Sequence, residues 1–232
     1  MLNLFAVALV DCGLAGMLTG ALSVVMPVQF LHIQTRAAGA ALFAAAIATA
    51  VAGLLIPAAL ERVTDVRTDL DRAAPAFQFR ERHRTHVNAA PDAVYRAMRA
   101  VTADDILLFR TLTWIRSPRL RQAGGGTILS PPSEAVPLLD VALRTTFRQV
   151  SEQRPRELVV ATTVARGVNA TMNFLIEPAA GGTSELSTET RVFAETPSAT
   201  RSFGAYWHTI YPGSSLIRFM WLRGIKARAE RA

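Results

Sequence analysis

The chain has 232 residues and a net charge of +7, from 25 basic and 18 acidic side chains. That charge is unevenly placed: residues 1–72 hold 4 Lys+Arg and 5 Asp+Glu, leaving 21 and 13 for 73–232, or −1 against +8. One cysteine and four histidines exclude an intrachain disulfide and offer no zinc-type spacing, so neither a structural metal nor a cofactor is expected.

Between Leu4 and Leu60 only Asp11 and Arg36 carry a formal charge. In a helix, about 20 apolar residues cross a bilayer core about 30 Å thick. Leu4–Leu31 and Ala37–Leu60 each reach that length, joined by His32, Ile33, Gln34, Thr35 and Arg36. Residues 1–60 are therefore predicted to form a two-helix transmembrane hairpin. Met1, Leu2 and Asn3 lack the positive lead of a signal peptide, so retained spans are expected. Arg36 lies in the link, while Arg62, Arg67 and Arg72 follow the second span. This imbalance puts the following domain on the cytoplasmic side of the cell membrane. The second span carries Gly39, Ala41, Ala44, Ala48, Ala52 and Gly53, and the first carries Gly13, Ala15, Gly16 and Gly20. Small residues at such spacing let helices approach closely. Packing within one hairpin is expected ahead of a dimer seam, and the oligomeric state stays open.

Val63, Val66 and Leu70 stand at helical spacing, predicting a linker helix within residues 61–76 that ends before Pro75. The domain proper is expected over 77–232. Its first strand, Phe77–Val87, places Phe77, Phe79, Glu81, His83, Thr85 and Val87 on one face. Gln78, Arg80, Arg82, Arg84 and His86 fall on the other. The arginine face needs solvent or partners, so the phenylalanine face should point inward and carry Glu81 and His83 with it. These two are candidate acid/base residues. The plainer alternative is a hydrogen-bonded pair at the mouth of the sheet.

Helices are predicted at Pro91–Met98 and Ala103–Ile115, the second opened by Thr102, Asp104 and Asp105. Arg119–Gly126 reads as a glycine-rich loop, without the GK[ST] of a phosphate loop. Ser130-Pro131-Pro132 marks a turn. Strands follow at Phe147–Glu152, Glu157–Arg166, Asn169–Glu177 and Ser184–Glu195, with tight turns that imply an antiparallel sheet. The last places Leu186, Thr188, Thr190 and Val192 on one face, and Glu185, Ser187, Glu189 and Arg191 on the other. A helical pattern then runs from Pro197 to Arg231, with a kink expected at Pro212-Gly213. Arg218, Arg223, Lys226, Arg228 and Arg231 gather toward its end, matching the helix dipole and an anionic membrane surface. Scattered arginines without interleaved aromatics put nucleic acid well behind lipid as a partner.

The segments ERHRTHVNAAPDAVYRAM, LSTETRV and YWHTIYPGSSLIR resemble the SRPBCC superfamily, the START/Bet v 1-like helix-grip domains that include polyketide cyclase-like proteins. The likeness covers Phe77–Ala232. It implies an α+β fold, a curved antiparallel sheet gripping the long C-terminal helix around an apolar cavity. Its members are carriers or sensors of ligands and, less often, cyclases or hydrolases. The resemblance also makes the first and last strands neighbours, pairing Arg80, Arg82 and Arg84 with Glu185 and Glu189.

The expected function is binding of a lipid or another hydrophobic small molecule. The expected lining is Phe79, His83, Met172, Phe174, Tyr206, Trp207 and Ile210. One alternative is a cyclase- or hydrolase-like enzyme using Glu81 and His83; another is a membrane-tethered interaction module without a ligand. No G-x-S-x-G elbow and no usable cysteine supplies a nucleophile, which weighs against an enzyme.

Overall fold

The structure is a computed structural model that describes residues 2–26, 33, 35–116, 127–128, 130, 132 and 135–231. The chain divides into two units. One comprises Met1–Ala59 with Thr200–Tyr211, the other Leu60–Ala199 with Pro212–Ala232. The first division between the units falls between Ala59 and Leu60. In addition, twelve residues of the C-terminal helix group with the hairpin, which sequence patterning did not suggest.

In the first unit, α1 (Leu2–Val25) and α2 (Arg36–Leu55) are each long and apolar enough to cross a membrane. The second helix stops short of the predicted Leu60, and Pro57 follows two residues beyond its end. The remainder of the first predicted span, and His32 and Gln34 of the link, lie outside the described residues. Thr35 caps α2, its hydroxyl accepting from the Ala38 amide at 3.1 Å. The helices pack antiparallel through their small residues. A Cβ added at Gly13 would sit 2.7 Å from Ala50 Cβ, and one at Gly53 2.9 Å from the Ala6 carbonyl. Thr19, Ser23 and Thr49 each donate to the carbonyl four residues back, so their hydroxyls need no outside partner.

In the second unit, the chain opens with a pair of two-residue strands, β1 (Glu61–Arg62) and β2 (Ala76–Phe77), which are antiparallel neighbours. Between them the predicted linker helix shrinks to α3 (Asp69–Ala73). The Thr68 hydroxyl accepts from the Asp71 amide at 3.1 Å while the Asp71 carboxylate accepts from the Thr68 amide at 2.9 Å. This reciprocal capping box fixes the helix start, and the preceding Thr64, Asp65 and Val66 favour extended or turn backbone.

The main sheet has the order β3-β7-β6-β5-β4, every neighbouring pair antiparallel. Its strands are β3 (Phe79–Val87), β4 (Arg148–Gln153), β5 (Glu157–Ala165), β6 (Val168–Pro178) and β7 (Ser184–Ala194). They agree closely with the predicted ones. The first and last strands are neighbours, as the resemblance implied. Gly167, with φ +69°, makes the tight turn between β5 and β6.

Helix α4 (Pro91–Ala100) follows β3 as expected. The next helix, α5 (Phe109–Arg116), begins six residues later than predicted. The Asp105 carboxylate accepts from the Thr102 amide and hydroxyl and pairs with Arg228 at 3.2 Å, holding the intervening residues in turns. An unforeseen helix, α6 (Leu138–Thr145), buries Leu138, Leu139, Val141 and Ala142. The predicted loop Arg119–Gly126 and Pro131 lie outside the described residues.

The last helix, α7 (Pro197–Ala229), runs unbroken through Pro212, the position of the expected kink. The missing proline N–H instead leaves the His208 carbonyl without its intrahelical donor. In the second unit, Trp221, Leu222 and Ile225 of this helix join Leu158, Phe174 and Leu186 of the sheet in one core. Gly224 permits the approach: a Cβ there would lie 2.9 Å from the Asp105 carbonyl. A five-stranded antiparallel sheet with a long C-terminal helix makes the fold α+β, consistent with a helix grip.

Candidate functional site

Alternation along β3 turns Phe79, Glu81 and His83 to the inner face, and the register extends each position across the sheet. Glu81 lies opposite Thr190 of β7, which lies opposite Met172 of β6, opposite Val160 of β5. His83 begins the next rung, followed by Thr188, Phe174 and Leu158. Each rung therefore carries an ionisable or imidazole side chain on the edge strand β3, a threonine beside it on β7 and apolar side chains on β6 and β5.

Helix α7 supplies the counterpart. Arg218 donates through Nε to Glu81 Oε2 at 2.9 Å, and through Nη1 to Thr190 Oγ1 at 2.6 Å. The same Nη1 lies 3.4 Å from Met172 Sδ, so one guanidinium reaches three strands of that rung. Nearly one turn earlier, Ser215 Oγ is 3.3 Å from His83 Nε2. One turn later, the Trp221 ring meets Phe174 edge-on at 5.2 Å. Its indole N–H is buried with no hydrogen-bond partner among the described residues. Ser215, Arg218 and Trp221 recur at helical spacing, which is why they share a face.

The Glu81 side chain is fully buried, with Arg218 and His83 each 18% exposed. Glu81 Oε1 and His83 Nε2 are 2.8 Å apart. Thus Ser215 and Glu81 both address the same imidazole nitrogen. A nucleophile–base–acid relay needs the serine and the carboxylate on opposite ring nitrogens. This arrangement is not such a triad. Glu81 is the group that orients the ring, through Nε2.

The opposite face departs further from expectation. Arg80 and Arg82 do pair across the sheet with Glu189, at 3.0 and 3.8 Å. Glu185 meets His86 at 3.8 Å instead of an arginine, because Arg84 stands opposite Ser187. Glu189 and Arg191 are buried, not solvated. Arg191 bridges Glu189 and Asp71, both at 2.7 Å, and lies over the Phe77 ring. Phe77 is thereby assigned to this outer side: the chain bends at Gln78, whose side chain exchanges hydrogen bonds with the Ala194 backbone. Glu157 accepts from the amides of Asp69 and Leu70 and from Asn173 Nδ2, binding the N-terminus of α3 to the sheet. Segment 61–77 is thus a strap sealed onto the sheet, where a linker was expected.

Of the expected lining residues, Phe79, His83, Met172 and Phe174 share the inner face. Tyr206, Trp207 and Ile210 belong to the part of α7 grouped with the hairpin. There Trp207 packs with Phe203 and Tyr211 at 5.9 and 5.7 Å, while Tyr206 is 42% exposed. In that stretch His208 is buried, and neither ring nitrogen has a partner among the described residues. The helix residues that meet the sheet's polar rung are Ser215, Arg218 and Trp221. The sequence pattern groups Arg218 with the terminal cations; the inward-facing acid Glu81 on β3 is the signal that separates it. Lys226 and Arg228, from the same cation group, also have protein partners: the His86 carbonyl at 2.7 Å and Asp105.

No family model and no curated protein matches the chain. Among solved structures, the chain is similar to the crystal structure of CalU16 from Micromonospora echinospora. The two are 14% identical, and the match covers 75% of this chain and 92% of that one with a TM-score of 0.31.

Proposed function

We propose that this protein is a membrane-anchored, SRPBCC-like helix-grip domain that binds a lipid or another hydrophobic small molecule between its sheet and the end of α7. The observation that carries this is the inner face itself. Apolar side chains flank a polar cluster of Glu81, His83, Thr190 and Arg218, beside a buried indole N–H without an acceptor among the described residues. Ligand sites combine an apolar lining with a few placed polar groups in this way, and a buried tryptophan N–H ordinarily has a partner. A ligand oxygen at Trp221 would supply it.

The anchor is the hairpin. Leu14, Leu18, Leu22, Ile47, Val51 and Leu54 are all exposed, an apolar surface that a bilayer would cover. The arginines after the second span favour a cytoplasmic domain, and they add attraction to anionic headgroups.

Native mass spectrometry on the full-length protein, purified gently and paired with lipid extraction, tests the proposal. A defined hydrophobic molecule retained by the protein is expected. A folded protein that arrives empty and takes up no added lipid would leave the interaction-module alternative standing.

The hydrogen bond between Glu81 and His83 favours a second reading, in which an oriented imidazole acts as a base toward a bound ligand. His83→Ala separates the two. Lost turnover with the ligand still retained would support catalysis; lost retention would assign His83 to binding.

A further inference from the structure

Leu107 and Leu108 form the apex of the turn before α5, and both project into solvent, 66% and 47% exposed. Trp114, on α5 itself, is 51% exposed. Leu108 adopts φ +61°, a left-handed conformation that residues other than glycine seldom adopt and bulky ones least of all. Strain of this kind persists where the surrounding structure imposes it and accompanies sites that act on something outside the fold. Here it holds two leucines outward where an ordinary turn would present glycine or asparagine.

The polar groups around the apex are satisfied within the protein. Arg110 pairs with Asp104 at 2.7 Å and donates to the Pro132 carbonyl at 3.0 Å, while Asp105 pairs with Arg228. The exposed apolar groups of this turn and helix, among the described residues, are two leucines and an amphipathic indole. That combination suits the boundary between headgroups and acyl chains, where tryptophan concentrates and short apolar tips insert. Only residues 56–60 separate α2 from β1, and five extended residues reach at most about 18 Å. A hairpin resident in a bilayer therefore keeps this domain beside the bilayer.

We infer that the Leu107–Leu108 turn and Trp114 enter the bilayer surface as a second, shallow point of attachment, resting on the membrane-anchor reading above. Such a contact would turn a tethered domain into one docked at two points, and would place it to exchange an apolar ligand with the lipid directly.

The single cysteine makes the test direct. In a Cys12→Ala background, single cysteines at Leu107, Leu18 and Val164 are labelled with an environment-sensitive fluorophore. Each full-length protein is then placed in phosphatidylcholine nanodiscs with and without doxyl-labelled lipid. The label at 107 is expected to lose most of its emission to shallow doxyl groups and that at 18 to deep ones, with the label at 164 unaffected. Emission at 107 that tracks 164, while 18 is quenched, overturns the inference and leaves the anchor intact. An unquenched label at 18 overturns the anchor and this inference together. Should the label disturb the strained turn, Trp114→Cys carries the same comparison, and absence of quenching there overturns the proposal equally.

Discussion

Arg218 Nε lies 2.9 Å from Glu81 Oε2, joining the last helix to the first strand of the sheet across 137 positions of sequence. The carboxylate has no exposure, so it depends on that guanidinium and on His83 for its polar contacts. Breaking one partner of a buried pair leaves the other uncompensated and costs roughly 3–5 kcal/mol, whereas replacing both with apolar groups is often neutral. Arg218→Met is therefore expected to lower stability by about that amount, and Glu81→Leu with Arg218→Met to restore most of it. Urea unfolding of the full-length protein in micelles, followed by near-ultraviolet circular dichroism, measures both. A single variant no worse than a surface pair, about 1 kcal/mol or less, would mean that the pair does not hold the helix. If the double variant is stable yet retains no ligand, the cluster belongs to the binding site.

How much of this was legible in the sequence follows from the range of the interactions involved. Strands β4 to β7 come from short runs set off by tight turns, and the inward turn of Phe79, Glu81 and His83 from period-two alternation; both signals are local. The hairpin's close packing was readable from Gly13, Gly16, Gly20 and Gly53 for the same reason. Arg218 was not readable, because a cation in the last turns of a helix suits the helix dipole as well as it suits a buried carboxylate. Only the tertiary contact with Glu81 decides between them. The strap over 61–77 was hidden in the same way: Asp71 and Arg191 look like surface charges until they are seen 2.7 Å apart and buried. Phe77 left the expected face because Gln78 bonds to the Ala194 backbone, a bend that no alternation pattern records.

Acid should loosen the strap through Asp71. Burial by itself raises the pKa of this carboxyl. The hydrogen bonds from Arg191, from the Arg67 and Thr68 amides and from the Thr68 hydroxyl outweigh it, lowering the pKa from 3.8 to about 2. With the folded value below the unfolded one, the unfolded chain takes up the proton first as pH falls. The stabilisation is then complete above the unfolded value and lost as the pH falls through the folded one. Asp71→Asn is expected to be less stable than the parent at pH 7 and to flatten the acid limb between roughly pH 4 and 2. Hydrogen exchange at the Asp69 and Leu70 amides reports the strap itself. Parallel acid limbs for the two proteins would show that Asp71 does not control it.

His208 should act nearer neutrality. Burial lowers its pKa from the usual 6.5, and no partner among the described residues offsets that. Below about pH 6.5 the unfolded chain gains a proton that the folded one resists, so stability declines as the pH drops. His208→Leu removes two unpartnered nitrogens and the titration together. It is expected to raise stability by about 1 kcal/mol and to leave the melting temperature equal at pH 7.5 and 5.5. A variant that still softens on acidification would assign the effect to another group.

Two glycines should respond in opposite directions to an added side chain. At Gly13 a Cβ would lie 2.7 Å from the Ala50 amide nitrogen and 2.8 Å from the Ala46 carbonyl, backbone atoms that cannot rotate aside. Gly13→Val therefore requires α1 and α2 to separate. In a Cys12→Ala background, spin labels at the exposed Leu18 and Ile47 should report a longer distance, together with a lower melting temperature. Gly213 has no atom within 4 Å of its added Cβ and sits inside α7 without a left-handed φ. There glycine contributes only unfolded-state freedom, so Gly213→Ala should stabilise by roughly 0.5–1 kcal/mol. An unchanged label distance in Gly13→Val would mean that the hairpin is not held by this seam. A loss on Gly213→Ala would mean that the turn after Pro212 needs glycine's freedom, which its open surroundings and helical backbone do not require.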